Sequence, residues 1–456
     1  MILMLRFLLL LAIACTSIAQ DAPRAPSSPP NIVLIYADDL GYTDLACYGS
    51  SLHLTPHLDQ LAAGGKKFTN AYANAPNCAP SRACLISGQY GPRHGVYTVG
   101  SSKRGRAEDR KLEPPANRTV LADEVLTLPE LLRSAGYVNG HIGKWHLGDD
   151  PRTQGFDVNV AGNKTGHPKS YFSPYRNPNI PDGDEGEYLT DRLTLESIRF
   201  IEEHRTRPFF LYLSHYAVHT PIQAKEGRKQ YFKERNEEGN PGYAAMVESL
   251  DESVGRIIAC LERLNLRENT LVIFTSDNGG YGPVTSMAPL RGSKGMLYEG
   301  GIREPFLINW PGKVAPGSID ETPIIGTDLL PTLVKLAGAS LPKDKTVDGV
   351  DLTGIFLGQS SIAARPLFWH FPAYLEAGRA LRKTTPWRTA PVGAIRLGSY
   401  KLIEHFEDGR LELYDLENDL AESTNLAETL PSKTSELLGL LQSWRKSVGA
   451  DMPTAR

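Results

Sequence analysis

A chain of 456 residues, 41% of them hydrophobic, can bury a large core and has room for more than one domain. Its formal net charge of -3 leaves no polybasic footprint for nucleic acid, so any anion site must be a local cluster of positive groups. Five cysteines, Cys15, Cys47, Cys78, Cys84 and Cys260, are too few for a disulfide framework.

In the first stretch, Arg6 precedes an apolar run over 7–13, and Ser17-Ile18-Ala19 reads as a small-residue cleavage site. This predicts a signal peptide over 1–19 and a Pro/Ser-rich linker over 20–30. The run is too short to span a bilayer, so no transmembrane segment is expected after cleavage. Export to the periplasm or medium is expected ahead of lipid anchoring at Cys15, because position 12 carries alanine rather than the leucine of a lipoprotein box.

Residues 31–37 (NIVLIYA) form a short apolar run that predicts a central strand buried on both faces. It stops at Asp38-Asp39-Leu40-Gly41. Adjacent carboxylates there are either turn formers or ligands, and ligands gather at this end of strands in open α/β sheets. Thr55-Pro56 opens a helix through 61, closed by Gly64-Gly65. Residues 68–75 then lead into Asn77-Cys78-Ala79-Pro80-Ser81-Arg82. Pro80 and Ser81 suit a first helical turn, and Gly88 can end the helix. Cys78 would sit at the positive end of that helix, where free N–H groups attract negative charge. Arg82 adds a planar fork suited to a tetrahedral oxyanion.

A helix is predicted from Thr127 to Gly136 and a strand over 137–142, followed by Gly143-Lys144-Trp145-His146-Leu147-Gly148. If that block is extended, alternation puts Lys144 and His146 on one side. Residues 149–187 lack periodicity, and loops of this length are often functional. Their most polar part, Asn163-Lys164-Thr165-Gly166-His167, is either a solvated loop or a substrate wall. A helix over 188–204 and a strand over 209–213 deliver His215 and His219. The helix over 243–264 repeats apolar residues every three or four positions and should only pack. The strand over 271–275 ends in Ser276-Asp277-Asn278-Gly279, and a Gly-rich turn carries Lys294. Arg303 and Glu304 are candidates for a structural ion pair. A helix follows over 326–337. Short strands over 392–396, 400–405 and 411–414, with a helix over 437–446, predict a small α+β domain. The expected division is a catalytic domain over 31–385 and a subdomain over 386–456.

Four apolar strands thus end in Asp38/Asp39, Lys144/His146, His219 and Asp277/Asn278. In a mostly parallel sheet these ends converge above the start of the Cys78 helix. Asp38, Asp39, Asp277 and Asn278 offer only oxygen, which suits a hard divalent cation, calcium ahead of magnesium.

These motifs resemble the type I sulfatases: Cys-x-Pro-Ser-Arg with Leu85 and Gly88, the Gly-Lys-Trp-His-Leu-Gly block at all six positions, His219 before Pro221, Ser-Asp-Asn-Gly at 276–279, and Lys294. The resemblance runs over nearly the whole mature chain. It departs where the family's Thr-Gly-Arg is replaced by Ser87-Gly88-Gln89. It implies an alkaline-phosphatase-like α/β fold, a large mixed, mostly parallel sheet between helices, with a smaller C-terminal α+β domain. It implies that a formylglycine-generating maturation enzyme converts Cys78 to 3-oxoalanine (formylglycine). One Ca2+ would be held by Asp38, Asp39, Asp277, Asn278 and position 78. Arg82, Lys144 and Lys294 would hold sulfate oxygens. A hydroxyl of the hydrated aldehyde would attack sulfur and form a covalent formylglycine-sulfate. His219, with Lys294, would protonate the leaving oxygen, and His146 would take the proton that lets sulfate depart.

The segment Gly91-Pro92-Arg93-His94-Gly95-Val96-Tyr97 and the block Trp369-His370-Phe371-Pro372 look like bacterial sulfatases acting on polysaccharides. On that analogy the substrate is a sulfated oligosaccharide or polysaccharide, algal or host, with a galactose-type 4-O-sulfate as the first choice. Its pocket would be lined by His94, Asn163, Lys164, His167 and the Trp369 region. Two other readings compete: a phosphonate monoester or phosphodiester hydrolase of the same superfamily, and a non-catalytic protein that binds sulfated glycans.

Overall fold

The computed structural model describes residues 29–235, 238–378 and 385–456. The expected signal peptide, Cys15 and most of the expected linker lie outside them. In chain order the strands are β1 (Asn31–Ala37), β2 (Lys66–Tyr72), β3 (Leu112–Glu113), β4 (Val138–Gly143), β5 (Val158–Val160), β6 (Phe209–Ser214), β7 (Thr270–Ser276) and β8 (Arg303–Asn309). They continue with β9 (Ser318–Asp320), β10 (Ile324–Ile325), β11 (Leu367–Phe371), β12 (Leu375–Glu376), β13 (Trp387–Thr389), β14 (Val392–Leu397), β15 (Tyr400–His405), β16 (Leu411–Asp415) and β17 (Thr454–Ala455).

The large sheet runs β10-β2-β8-β7-β1-β6-β4-β5, with β9 beside β2. Within it β8 alone runs against its neighbours β2 and β7. Strand β1 lies at its centre, parallel to both β6 and β7. Alternation along β1 explains why its run is apolar throughout. Val33, Ile35 and Ala37 enter one core, while Ile32, Leu34 and Tyr36 enter the other. Burying one such aliphatic side chain contributes about 1.5–3 kcal/mol. One face is covered by the helices Pro56–Ala63, Leu189–His204 and Pro241–Arg263, the other by Cys78–Ser87, Leu128–Ser134 and Leu329–Leu336. No described helix is long and apolar enough to cross a membrane.

The second sheet is antiparallel, ordered β11-β14-β15-β16, with the helix Pro431–Ser447 packed on it. It draws in β11, so chain from before position 386 belongs to it. A buried ionic knot joins it to the large sheet. Lys401 on β15 bonds Glu299 at 2.8 Å and pairs with Glu422 at 2.9 Å. Arg303 also turns to Glu299, at 3.2 Å, so the expected Arg303–Glu304 pair does not form. Burial, with Asp277 nearby, holds the Glu304 carboxyl well above the usual carboxylate range.

Candidate active site

Strands β7, β1, β6 and β4 lie side by side and parallel, so their carboxyl ends share one edge. Register sets the depth of each residue that follows. Ala37 pairs with Ser276, and Gly143 pairs with Ser214. Backbone bonds carry the alignment one residue further: Asp277 N donates to Ala37 O, Asp38 N to Ala217 O and Lys144 N to Ser214 O. Asp38, Asp277 and Lys144 therefore meet at one level. The helix Cys78–Ser87 starts at the same place, with Gly88 closing it at φ 65°. At that φ the left-handed conformation favours glycine.

These groups form a buried ionic floor. Lys144 Nζ lies 2.6 Å from Asp38 Oδ2. Arg82 grips Asp277 Oδ2 through Nε at 3.0 Å and Nη2 at 2.7 Å. Its Nη1 donates to the Lys144 carbonyl at 3.2 Å and to Ser214 Oγ. Lys294 Nζ lies 2.7 Å from Asp39 Oδ2 and 3.4 Å from Cys78 Sγ. Arg82 and Lys144 thus lie beneath the cleft surface. Here both brace the carboxylates of the floor. Register sets this depth, since Asp38, Asp277 and Lys144 follow strand ends aligned by backbone bonds.

The block 143–148 is not extended. β4 ends at Gly143, whose φ of 109° and close approach to Ser214 O leave no room for a side chain. His146 takes a φ of 64°. Lys144 consequently turns down into the floor and His146 up into the cleft, so the two do not share a side.

The floor fits a divalent cation by its own electrostatics. Asp38 Oδ1 and Asn278 Oδ1 are buried without a hydrogen-bond partner. Asn278 Nδ2 donates to Asp39 Oδ1 at 2.8 Å, which aims the amide oxygen elsewhere. Ligand atoms of Asp38, Asp39, Cys78 and His219 lie within 4.8 Å of one another. Burial raises the Asp277 carboxyl to about 6, with Asp38 adding to the shift, and burial raises Asp38 despite Lys144. Carboxylates crowded in this way favour a positive ion between them.

Above the floor opens a cleft of about 540 Å³ lined by Cys78, His146, His167, His219 and Lys294, among others. Burial opposes ionisation of the Cys78 thiol, yet Lys144 and Lys294 outweigh it and hold the thiol well below its ordinary value. An anion is therefore favoured at position 78. Burial also opposes the His219 imidazolium, but Asp39, 3.5 Å from Nε2, raises it. Burial pushes His146 down to about 4, against a hydrogen bond with Cys78 that raises it. The two histidines are thus biased in opposite directions, one toward the charged form and one toward the neutral form.

Of the expected substrate residues, only His167 lines the cleft, with its ring stacked 6.1 Å from that of His219. His94 is buried against Cys84 Sγ at 3.4 Å and accepts from Val96 N, and burial pushes its imidazole down to about 3. It is a packed core residue. Asn163 lines a neighbouring cavity of about 80 Å³, and its carbonyl accepts from His146 N at 2.9 Å. It positions His146 instead of touching the cleft. Lys164 faces solvent and pairs with Asp149 at 3.0 Å. Trp369 is buried, donating to Ala73 O at 2.8 Å. Thr165, from the polar stretch 163–167, also lines the cleft, and Arg104, Glu376 and Arg388 join it without any motif to announce them.

A helix end that favours an anion, backed by fixed cations and flanked by a proton donor and an acceptor, is the arrangement of a hydrolase for esters of tetrahedral oxyacids. The family model described as sulfatase matches residues 30–339, and one described as N-sulphoglucosamine sulphohydrolase, C-terminal, matches residues 293–443. The chain belongs to the sulfatase family, whose members are sulfuric ester hydrolases. A sulfatase of Formosa agariphila is 34% identical over 92% of this chain and 89% of its own. The N-acetylgalactosamine-6-sulfatase of Canis lupus familiaris is 36% identical over 80% of this chain and 72% of its own. The solved structure of Ps i-CgsB in complex with k-i-k-neocarrahexaose superposes with a TM-score of 0.78 at 29% identity, over 91% of this chain and 93% of that one.

Proposed function

We propose that this sulfatase releases sulfate from a carbohydrate ester, with a galactose-type 4-O-sulfate on an algal or host saccharide as its first candidate. In this reading a maturation enzyme has converted Cys78 to formylglycine, and Asp38, Asp39, Asp277 and Asn278 hold Ca2+. Export, to the periplasm or medium, rests on residues 1–19 alone. The carrying observation is the anion-favouring helix end at Cys78, set over two buried oxygens without a hydrogen-bond partner, Asp38 Oδ1 and Asn278 Oδ1. The saccharide class is supported by the neocarrahexaose in the neighbour's complex and by the galactosamine sulfatase among the relatives.

When present, the cation would withdraw charge from the sulfate oxygens, and the hydrated aldehyde would supply a nucleophile able to expel sulfate afterwards. The chain's own residues do the rest. Lys294 Nζ, beside both Asp39 and Cys78, places positive charge next to the reacting position throughout. His219 Nε2, biased toward its protonated form by the nearby Asp39 carboxylate, faces the cleft and donates a proton to the departing sugar oxygen. His146, neutral at pH 7 and hydrogen-bonded to position 78, accepts the proton there. Arg82 and Lys144 hold Asp277 and Asp38 still, which keeps the oxygen set in place. The Asn163 carbonyl anchors the backbone of His146.

The test combines mass spectrometry of the peptide containing position 78 with sulfate release from a panel of sulfated galactosides, other sugar sulfates and a phosphodiester. An aldehyde at position 78 and preferred release from galactose 4-sulfates are expected. A thiol persisting in fully active enzyme, or faster cleavage of the phosphodiester than of every sulfate ester, would overturn the reading.

A further inference from the structure

Two arginines on the cleft wall take no part in the chemistry above. Arg104 lies in the loop before β3, and Arg388 is the middle residue of β13. They come from distant parts of the chain, and separate contacts hold each in place.

The Arg104 turn is braced from three sides. Arg110 Nη1 donates to three successive carbonyls, those of Lys103 at 3.0 Å and of Arg104 and Gly105 at 3.1 Å. Tyr374 N donates to Ser102 O at 3.1 Å, and Lys103 bridges to Tyr374. Gly105, at φ 73°, lies so close to the Trp387 indole that a side chain would not fit, and Trp387 packs 4.5 Å from the Tyr374 ring. The strand carrying Arg388 is tied to the catalytic turn. Arg388 Nη1 reaches Lys294 O at 3.5 Å, and Thr389 Oγ1 donates to Gly295 O. One contact thus locks the two arginine-bearing segments together, and the other locks them to Lys294.

Among the described residues, little of either guanidinium is used up by the protein. Arg104 donates to Val99 O, and Arg388 makes its contact with Lys294 O and lies 5.7 Å over the Tyr281 ring. Each guanidinium carries five N–H donors. Glu376 attracts Arg104, so among the described residues two cations stand against one carboxylate on this wall. Lys294 cannot be counted among the surplus, since Asp39 holds it. Among the described residues, this wall is net positive, separate from the floor, and faces the cleft. The cleft volume falls in the range of sites that enclose a small ligand.

We propose that Arg104 and Arg388 form a subsite for a second anionic group of the substrate, a sulfate or a uronate carboxylate on the neighbouring sugar ring. The enzyme's substrates are then saccharides carrying at least two anions, one hydrolysed at position 78 and one held at the wall. This rests on the sulfate-ester reading, and a guanidinium fork matches both anions in shape and charge.

The test reads binding without turnover. Calorimetry on the full-length Cys78→Ala chain, which has no nucleophile at that position, compares three disaccharides. One carries a single sulfate, one a second sulfate on the neighbouring ring, and one a carboxylate there. The second anion should tighten binding on the order of tenfold, the scale of one charge-assisted hydrogen-bonded contact. Whichever of the two anions tightens it more identifies the source. Arg104→Gln and Arg388→Gln should each remove most of that gain, the lysine variants should restore part of it, and raised salt should shrink it. Equal affinity for one and two anions in the parent, or a gain that survives in the double glutamine variant, overturns the proposal. Absence of sulfate release by the Cys78 enzyme would instead count against the sulfate-ester reading, because the binding comparison needs no turnover.

Discussion

The floor and the rim of the cleft are built by opposite means. Asp38, Asp277 and Lys144 are 0% exposed and Arg82 is 1% exposed, and parallel strand ends joined by backbone bonds set their positions. Arg104, His167 and Arg388 ride on loops or on a three-residue strand. Reacting groups need placement to a fraction of an ångström, which packed strands supply. Substrate choice needs a wall that can change without disturbing them, which loops supply. The molecule separates the two demands along the depth of one cleft.

The largest effect should come from the floor. In Cys78→Ser, steady-state turnover should fall by at least about a thousandfold while a sulfated protein accumulates, since a serine ester lacks the second hydroxyl. Intact-mass analysis after substrate addition checks this, and wild-type turnover without an adduct would break the contrast. His219→Gln should cost roughly 10²–10⁴ on alkyl sugar sulfates and far less on aryl sulfates, whose leaving groups need no proton. Parallel kinetics on both classes measure it. Chelator-treated enzyme should lose activity, recover with Ca2+ better than with Mg2+, and regain about 2.7 kcal/mol of stability at a hundredfold excess of cation over its Kd. Thermal melts with each ion would show this.

Stability should also fall with acid. His94, His141 and His215 are buried neutral, and burial pushes each down to about 3, with His370 down to about 4. Unfolded, they titrate near 6.5. Between those values the unfolded chain binds more protons, so unfolding becomes easier as pH drops from 6.5 toward 3. Each histidine adds up to about 1.4 kcal/mol per pH unit in that window. Denaturant midpoints across that range test the slope. The smallest effect belongs to Lys164→Ala, whose side chain is 73% exposed beside Asp149. Its stability change should stay within about 0.5 kcal/mol and KM should hold, because the residue lies off the cleft.

Much of the fold and of the floor is legible in the order of residues. The apolar runs of β1, β6 and β7 announce strands buried on both faces, because a central strand between two helical layers has no polar side. The polar residues after them announce the site. Direction is what the residues leave open. His94 and Lys164 look equally plausible as sugar contacts, yet one packs on Cys84 and the other faces solvent. Arg82 suits an oxyanion by its chemistry, but Asp277 takes its fork first. Arg104 and Arg388 carry no motif, since their meeting depends on Trp387 packing on Gly105 across the fold.

Local order along the chain therefore determined the strands, the helix that begins at Cys78 and the kinds of groups at their ends, because periodicity, caps and turns act between near neighbours. Only tertiary structure decided which of those groups reach the cleft, which brace others from below, and which distant arginines share its wall. Burial and charge pairing depend on what arrives from elsewhere in the chain, and neither is written into the residues on either side.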